Sequence, residues 1–313
     1  MRMATFGEWV EGARMRTLPL AIAPVLIGAG AGLGALGGFA TIILGSTGPG
    51  EQQTVNITAV LLRTLLALIV SLGLQIGSNY ANDYSDGIRG TDDVRVGPMR
   101  LTATGAAEPE TVKRAAFICF GVAGVAGLVL VLVSSQWWLI PVGAAAVLAA
   151  WYYTGGKRPY GYMAMGELFV FTFFGLVATL GTAASIAGGV TLSAVSGAIA
   201  IGLFACGVLM ANNIRDIPTD REVGKTTLAV LLGDSMSRAV YTVFVAAPFV
   251  MLMGPIVDGH PASVIAVLSL VLVVQPVKLV LSGATGADLI PTIKATSLTA
   301  LAFSFLLALG IAL

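Results

Sequence analysis

Charge, histidine and cysteine are all scarce in this chain. Only 11% of its 313 residues are charged, less than half the usual share of a soluble domain. Mean hydropathy is +0.91. Together these exclude a water-soluble globular protein. The single histidine, His260, falls on the predicted outer face, so a His-based metal or acid–base site is not expected. Cys119 and Cys206 both lie in apolar runs and read as small buried residues, with no disulfide framework or metal spacing. A P-loop is absent. "GLGALG" (32–37) has the G-x-G-x-x-G spacing, but no strand precedes it, so it reads as helix-packing glycine. A net charge of +1 gives nucleic-acid binding no support.

What the chain has instead is apolar runs of membrane-spanning length, each needing ~20 residues. They do not alternate polar and apolar residues, which excludes a transmembrane β-barrel. The fold class expected is an all-α polytopic membrane protein. Nine spans are read at about 18–44, 58–82, 113–134, 137–153, 165–187, 191–213, 239–258, 262–281 and 289–312. Sixteen of the 17 Lys and Arg residues fall on one side of them, Arg63 being the exception. The positive-inside rule makes that side cytoplasmic, with the N-terminus inside and the C-terminus outside. The chain reads as one membrane domain in the cell membrane. Two cytoplasmic loops, 83–112 and 214–238, hold most of its unusual residues.

The first unusual stretch, "NDYSDGIRGTDDVRVGP" (82–98), puts Asp83, Asp86, Asp92 and Asp93 straight after an apolar run. The second, "NNIRDIPTDREVGKTTLAVLLGD" (212–234), adds Asp216 and Asp220. Asn82 and Asp86 are four apart, as are Asn212 and Asp216, which suggests a pseudo-repeat of helices 2–4 and 6–8. Asp83 and Asp86 share a face if the helix continues that far, and so do Asp216 and Asp220, although Pro218 is expected to bend or end that helix.

Single acids after a membrane helix are usually solvated loop residues. Two sets on one side, accompanied by asparagines, are a different matter. Crowded carboxylates repel unless a cation neutralises them. An all-oxygen set selects a hard ion, Mg²⁺, which typically bridges a few carboxylates to substrate phosphates. Arg95, Arg158, Arg221 and Lys225 are candidates to balance the remaining phosphate charge. A polyprenyl diphosphate fits both requirements: its head needs Mg²⁺ and its tail needs apolar surroundings.

These stretches, with "RMRTLPLAIAPVLIG" (14–28) and "YYTGGKRPYGYMAMGE" (152–167), resemble the UbiA superfamily of intramembrane aromatic prenyltransferases. The resemblance covers nearly the whole chain. More narrowly, they are similar to the branch whose acceptor is 1,4-dihydroxy-2-naphthoate. The superfamily's first motif is N-D-x-x-D-x-x-x-D. Asn82, Asp83 and Asp86 match it, and the third acid is Asp92 or Asp93 after a two-residue expansion. The second motif, D-x-x-x-D, matches at Asp216 and Asp220. The resemblance implies Asp83, Asp86, Asp216 and Asp220 as catalytic metal ligands, helped by Asn82, Asn212 and Asp92. It raises Tyr160 and Tyr162, otherwise interfacial anchors, to candidates for steadying a carbocation. Arg14 and Arg16 are candidates for an aromatic carboxylate, against a plainer role as positive-inside anchors. Other acceptors, 4-hydroxybenzoate or homogentisate, keep the same fold. A transporter with an acidic cation site is the reading from another class, but it predicts charges near the midplane of several helices, and the helix interiors here are almost bare.

The topology is testable with single-cysteine reporters in a cysteine-free background. Reporters at Ser85 and Thr219 are expected to react from the cytoplasm and one at Gln52 from outside. Reaction of the two motif reporters from opposite faces rules out a shared pocket.

Overall fold

The computed structural model describes residues 4–39, 41, 55–90 and 99–313. Among these the chain is helical throughout, with one isolated strand-type bridge between Met163 and Thr226. The helices are α1 (Phe6–Gly12), α2 (Pro19–Ala35), α3 (Ile57–Arg89), α4 (Pro109–Ser134), α5 (Leu139–Tyr152), α6 (Gly166–Ala187), α7 (Leu192–Glu222), α8 (Leu228–Leu232), α9 (Asp234–Val257), α10 (Pro261–Leu281) and α11 (Gly286–Ala312). Seven of them, α3, α4, α6, α7, α9, α10 and α11, are long and apolar enough to cross a membrane. The first and fourth expected spans correspond to the shorter apolar helices α2 and α5, of 17 and 14 residues. The expected span 18–44 ends its continuous helix at Ala35, and its residues 40 and 42–44 lie outside the described residues.

Two helices are especially long. The 33 residues of α3 reach ~50 Å at 1.5 Å per residue, and the 31 of α7 nearly as far. A hydrocarbon core is only ~30 Å thick, so each is longer than an upright span needs, and both carry an acidic motif towards their C-terminal end. Each helix starts at a side-chain cap. Asn56 accepts from Ala59 N (3.1 Å) and Thr191 from Ala194 N (3.2 Å). The expected loops 83–112 and 214–238 therefore begin as helix, up to Arg89 and Glu222. Pro218 does not end α7. It sits in the last turn, where the Thr219 hydroxyl donates to the Asp216 carbonyl at 3.0 Å and little ladder remains to be lost. Ser85 is buried on α3, so the exposed Ile88 is the better reporter position there.

α7 is the axis of the bundle. Its apolar window is 78% buried, against 17% for α3; a helix apolar on all sides belongs inside. Ile27 of α2, Phe204 of α7, Tyr241 of α9 and Phe303 of α11 meet in the main core. Close approach is set by small residues, as membrane packing requires. A Cβ on Gly30 would come within 2.5 Å of Ala308 Cα on α11, and one on Gly175 within 2.7 Å of Gly202 Cα on α7. At the end of the bundle away from the motifs, Arg63 donates to the carbonyls of Val133 (2.8 Å) and Ile186 (3.2 Å), tying the last turns of α4 and α6 to α3. Within α6, Phe171–Val177 is π-helical.

Gly30→Val is expected to destabilise the fold by about 1–3 kcal/mol through overpacking. Gly121→Ala, with nothing within 4 Å of the new Cβ, should be neutral or slightly stabilising. Thermal unfolding of both variants in detergent checks the contrast.

Candidate active site

A cavity of about 500 Å³ lies among α2, α3, α4, α5, α6 and α7. Most of its wall is apolar, from Leu128, Leu139 and their neighbours. Its polar lining is concentrated towards the motif ends of α3 and α7, at Gln75, Asn79, Asn82 and Asn212. The two acidic motifs flank that end.

On α3, consecutive residues meet different partners. Asn82 Oδ1 accepts from the Thr154 hydroxyl at 2.7 Å. Asp86 Oδ1 accepts from the Tyr162 hydroxyl at 2.8 Å, and its Oδ2 lies 4.0 Å from the Arg100 guanidinium. Asp83, only 1% exposed, accepts two backbone N–H groups, from Leu101 to Oδ2 (2.8 Å) and from Thr102 to Oδ1 (2.9 Å). On α7, Arg215 grips Asp216 with two bonds, Nε to Oδ1 at 2.6 Å and an Nη to Oδ2 at 2.7 Å. Lys225 Nζ sits 3.2 Å from Asp220 Oδ1. All four acids are buried.

The segment after α5 connects the two motifs. Arg89, at the end of α3, donates to the carbonyls of Thr154 and Gly156. Thr226 N donates to the Tyr162 carbonyl (3.2 Å) and Ala164 N to the Thr226 carbonyl (2.8 Å). Two cations stand over the Tyr162 ring, Arg89 at 5.7 Å and Lys225 at 5.4 Å from its centroid. A continuous path thus runs from Asp86 through Tyr162 and Lys225 to Asp220.

The family profile of the UbiA prenyltransferase family matches residues 39–285. This chain belongs to that family. It is 44% identical over 306 residues to 1,4-dihydroxy-2-naphthoate octaprenyltransferase of Mycobacterium tuberculosis (strain ATCC 25618 / H37Rv), covering 98% of this chain and 97% of that one. The Escherichia coli (strain K12) protein of the same name is 35% identical over 250 residues, 78% of this chain and 74% of that one. The fold is shared with the apo structure of a UbiA homologue from Aeropyrum pernix K1. That match has a TM-score of 0.64 and 16% identity, covering 93% of this chain and 96% of the other. It is also shared with a UbiA homologue from Archaeoglobus fulgidus bound to DMAPP and Mg²⁺, with a TM-score of 0.54 and 15% identity, covering 94% and 98%.

The donor chemistry of this UbiA-family site suits Mg²⁺. Asn82, Asp86, Asn212, Asp216 and Asp220 offer oxygen alone, in sets of one or two carboxylates with an amide. Among the described residues no three acids, cysteines or histidines converge into a cage, and Mg²⁺ seldom needs one.

The expected residues separate on inspection. Arg14 and Tyr160 line the cavity; Arg16 is exposed. Arg158 and Arg221 are exposed, whereas Lys225 is partly buried against Asp220. Asp92, Asp93 and Arg95 lie outside the described residues. Tyr162 binds Asp86 instead of lining the cavity wall. The aromatic wall is formed by Tyr160 stacked on Phe169 (3.9 Å between centroids), with Tyr153 edge-on at 5.4 Å and Phe173 beyond. Phe169, Phe173, Arg89, Arg100, Thr154, Gln75 and Asn79 were not anticipated. Only Gln75 and Asn79 left a readable signal, as two amides four residues apart in an apolar helix. Glu167, in the first turn of α6, is buried and accepts from Asn213 Nδ2 at 3.0 Å.

Burial, reinforced by neighbouring Tyr153, raises the Tyr160 phenol above the ordinary tyrosine range. Its hydroxyl donates to the Ala149 carbonyl at 2.7 Å. Tyr160 thus presents a neutral ring, not a base, at physiological pH. Ultraviolet titration of the parent against Tyr160→Phe should show no missing tyrosinate at pH 10, where an ordinary tyrosine is half ionised.

Proposed function

We propose that this protein transfers a polyprenyl group from polyprenyl diphosphate to 1,4-dihydroxy-2-naphthoate, releasing diphosphate and CO₂ and giving demethylmenaquinol for menaquinone synthesis. One observation carries the reading: a mostly apolar cavity whose polar end is flanked by both acidic motifs of a UbiA-family chain. The near full-length similarity to the mycobacterial naphthoate enzyme supports the acceptor. The basic-residue asymmetry supports a cell-membrane protein with this site on the cytoplasmic side.

Asn82, Asp86, Asn212, Asp216 and Asp220, with Asp92, would hold Mg²⁺. When bound, the ion supplies Lewis-acid stabilisation of the departing diphosphate. Arg100 and Lys225, with Arg158, with Arg221 in the last turn of α7 and with Arg95, balance the anionic head. The prenyl tail extends into the apolar cavity. Tyr160, Tyr153, Phe169 and Phe173 turn aromatic surface towards the allylic cation and exclude water from it. Arg14 is placed on the cavity wall where it can meet the carboxylate of the aromatic acid; exposed Arg16 is the weaker candidate. Ring attack at the carboxylate-bearing carbon gives a β-keto-acid-like adduct, which loses CO₂ without a further cofactor.

The test is turnover of the purified protein with Mg²⁺, a polyprenyl diphosphate and a panel of aromatic acids. A prenylated, decarboxylated naphthoquinol is expected, and EDTA should abolish it. Product from 4-hydroxybenzoate or homogentisate alone would overturn the acceptor. Asp86→Asn should lower turnover at least about a hundredfold, and Tyr162→Phe about tenfold to a hundredfold, the worth of one hydrogen bond to a charge. Asp216→Ala is a poor probe, because it strands buried Arg215 at a cost of about 3–5 kcal/mol to the fold.

A further inference from the structure

Asp83 belongs to the aspartate motif by sequence, yet it is occupied differently from its neighbours. Both of its oxygens accept from the segment that precedes α4: Leu101 N at 2.8 Å and Thr102 N at 2.9 Å. Two backbone donors on one buried carboxylate make a strong, directional clamp. The rest of the segment is shaped around it. Leu101 is fully buried, and a Cβ on Gly12 would meet its side chain at 2.9 Å. A Cβ on Gly87, one helical turn after Asp83, would come within 2.5 Å of the Thr102 side chain, so the segment lies against bare α3 backbone. Thr104 N and Gly105 N close the turn onto the carbonyls of Arg100 and Thr102. The residue just before the clamp is Arg100, whose buried guanidinium stands 4.0 Å from Asp86.

We propose that Asp83 is a positioning residue and not a metal ligand: it fixes the 99–105 segment so that Arg100 is delivered to Asp86 and to the diphosphate bound there. The Arg100 half of this inference rests on the prenyl-diphosphate reading above; the clamp does not. Asp86 and Asp83, three residues apart on one helix, thus divide the labour. Asp86 faces the ligand, and Asp83 holds the loop that supplies its counter-charge.

The test uses the full-length protein in lipid nanodiscs, the four single variants Asp83→Asn, Asp86→Asn, Arg100→Gln and Gly87→Ala, and the double variant of Asp83→Asn with Arg100→Gln. Hydrogen–deuterium exchange across 99–107 reads the clamp without any turnover. Asp83→Asn replaces one acceptor oxygen with an NH₂ group, so protection at Leu101 and Thr102 should fall about tenfold or more. Binding of geranyl diphosphate with Mg²⁺ should weaken by the same factor in Asp83→Asn and Arg100→Gln. The double variant should be no weaker than either single, because both act through one contact. The Mg²⁺ concentration for half-saturation should stay at the parent value in Asp83→Asn but rise in Asp86→Asn. Gly87→Ala leaves every carboxylate in place and moves only the segment. It should reproduce the Asp83→Asn pattern, and it carries the test if Asp83→Asn does not fold. Unchanged exchange overturns the clamp. A raised Mg²⁺ requirement in Asp83→Asn, or losses that multiply in the double variant, overturns the positioning role. If the parent binds no geranyl diphosphate, the prenyl-transfer reading and the Arg100 half fall together, while exchange still decides the clamp.

Discussion

A charge taken out of water near a membrane must be neutralised where it stands, because each desolvated ion costs several kcal/mol. The arrangement of this protein follows from that constraint. Its helix interiors carry almost no charge, and the acids sit towards the C-terminal ends of α3 and α7. Even there they are buried, and each has a compensating donor: Arg215 on Asp216, Lys225 on Asp220, Arg100 and Tyr162 at Asp86, backbone amides at Asp83. Supplying those donors brings in the segments after α5, after α7 and before α4. The loops converge on the motif end because the acids there require partners.

The same requirement divides the cavity chemically. Towards the motifs the lining offers amides and flanking carboxylates, suited to a metal and an anion. Deeper, it offers aliphatic and aromatic faces, suited to a long tail and a cation that must not meet water. Tyr160 and Tyr162, two residues apart, fall on opposite sides of that boundary. The first stacks on Phe169 in the wall, and the second hydrogen-bonds Asp86.

Much of this was legible in the sequence. The apolar runs, the one-sided distribution of Arg and Lys and the two Asn/Asp pairs follow from local composition and spacing, which a membrane environment constrains strongly. The helical continuation past Pro218 and to Arg89 was not legible, because tertiary partners hold those last turns. Arg100 and Arg89 looked like ordinary positive-inside residues until the fold placed one beside Asp86 and the other on the Thr154 and Gly156 carbonyls. Asp83 and Asp86 were indistinguishable by type and motif. Only three-dimensional contacts separate an acid that faces a ligand from one that faces a loop.

The π-helical stretch Phe171–Val177 sets the rotational phase of α6. An i→i+5 turn accommodates one more residue than an α-turn. The helix on either side is therefore offset by about 100°, one residue's rotation, from where an unbroken α-helix would leave it. Phe169 and Val170 line the cavity before the stretch, while Gly181 and Thr182 still reach it after. Deleting one residue within the stretch would shorten α6 by only ~1.5 Å, yet it would turn one of those two faces off the cavity. In this helix, register is set by the count of residues through one irregular turn, so a single-codon gap is a change of orientation more than of length.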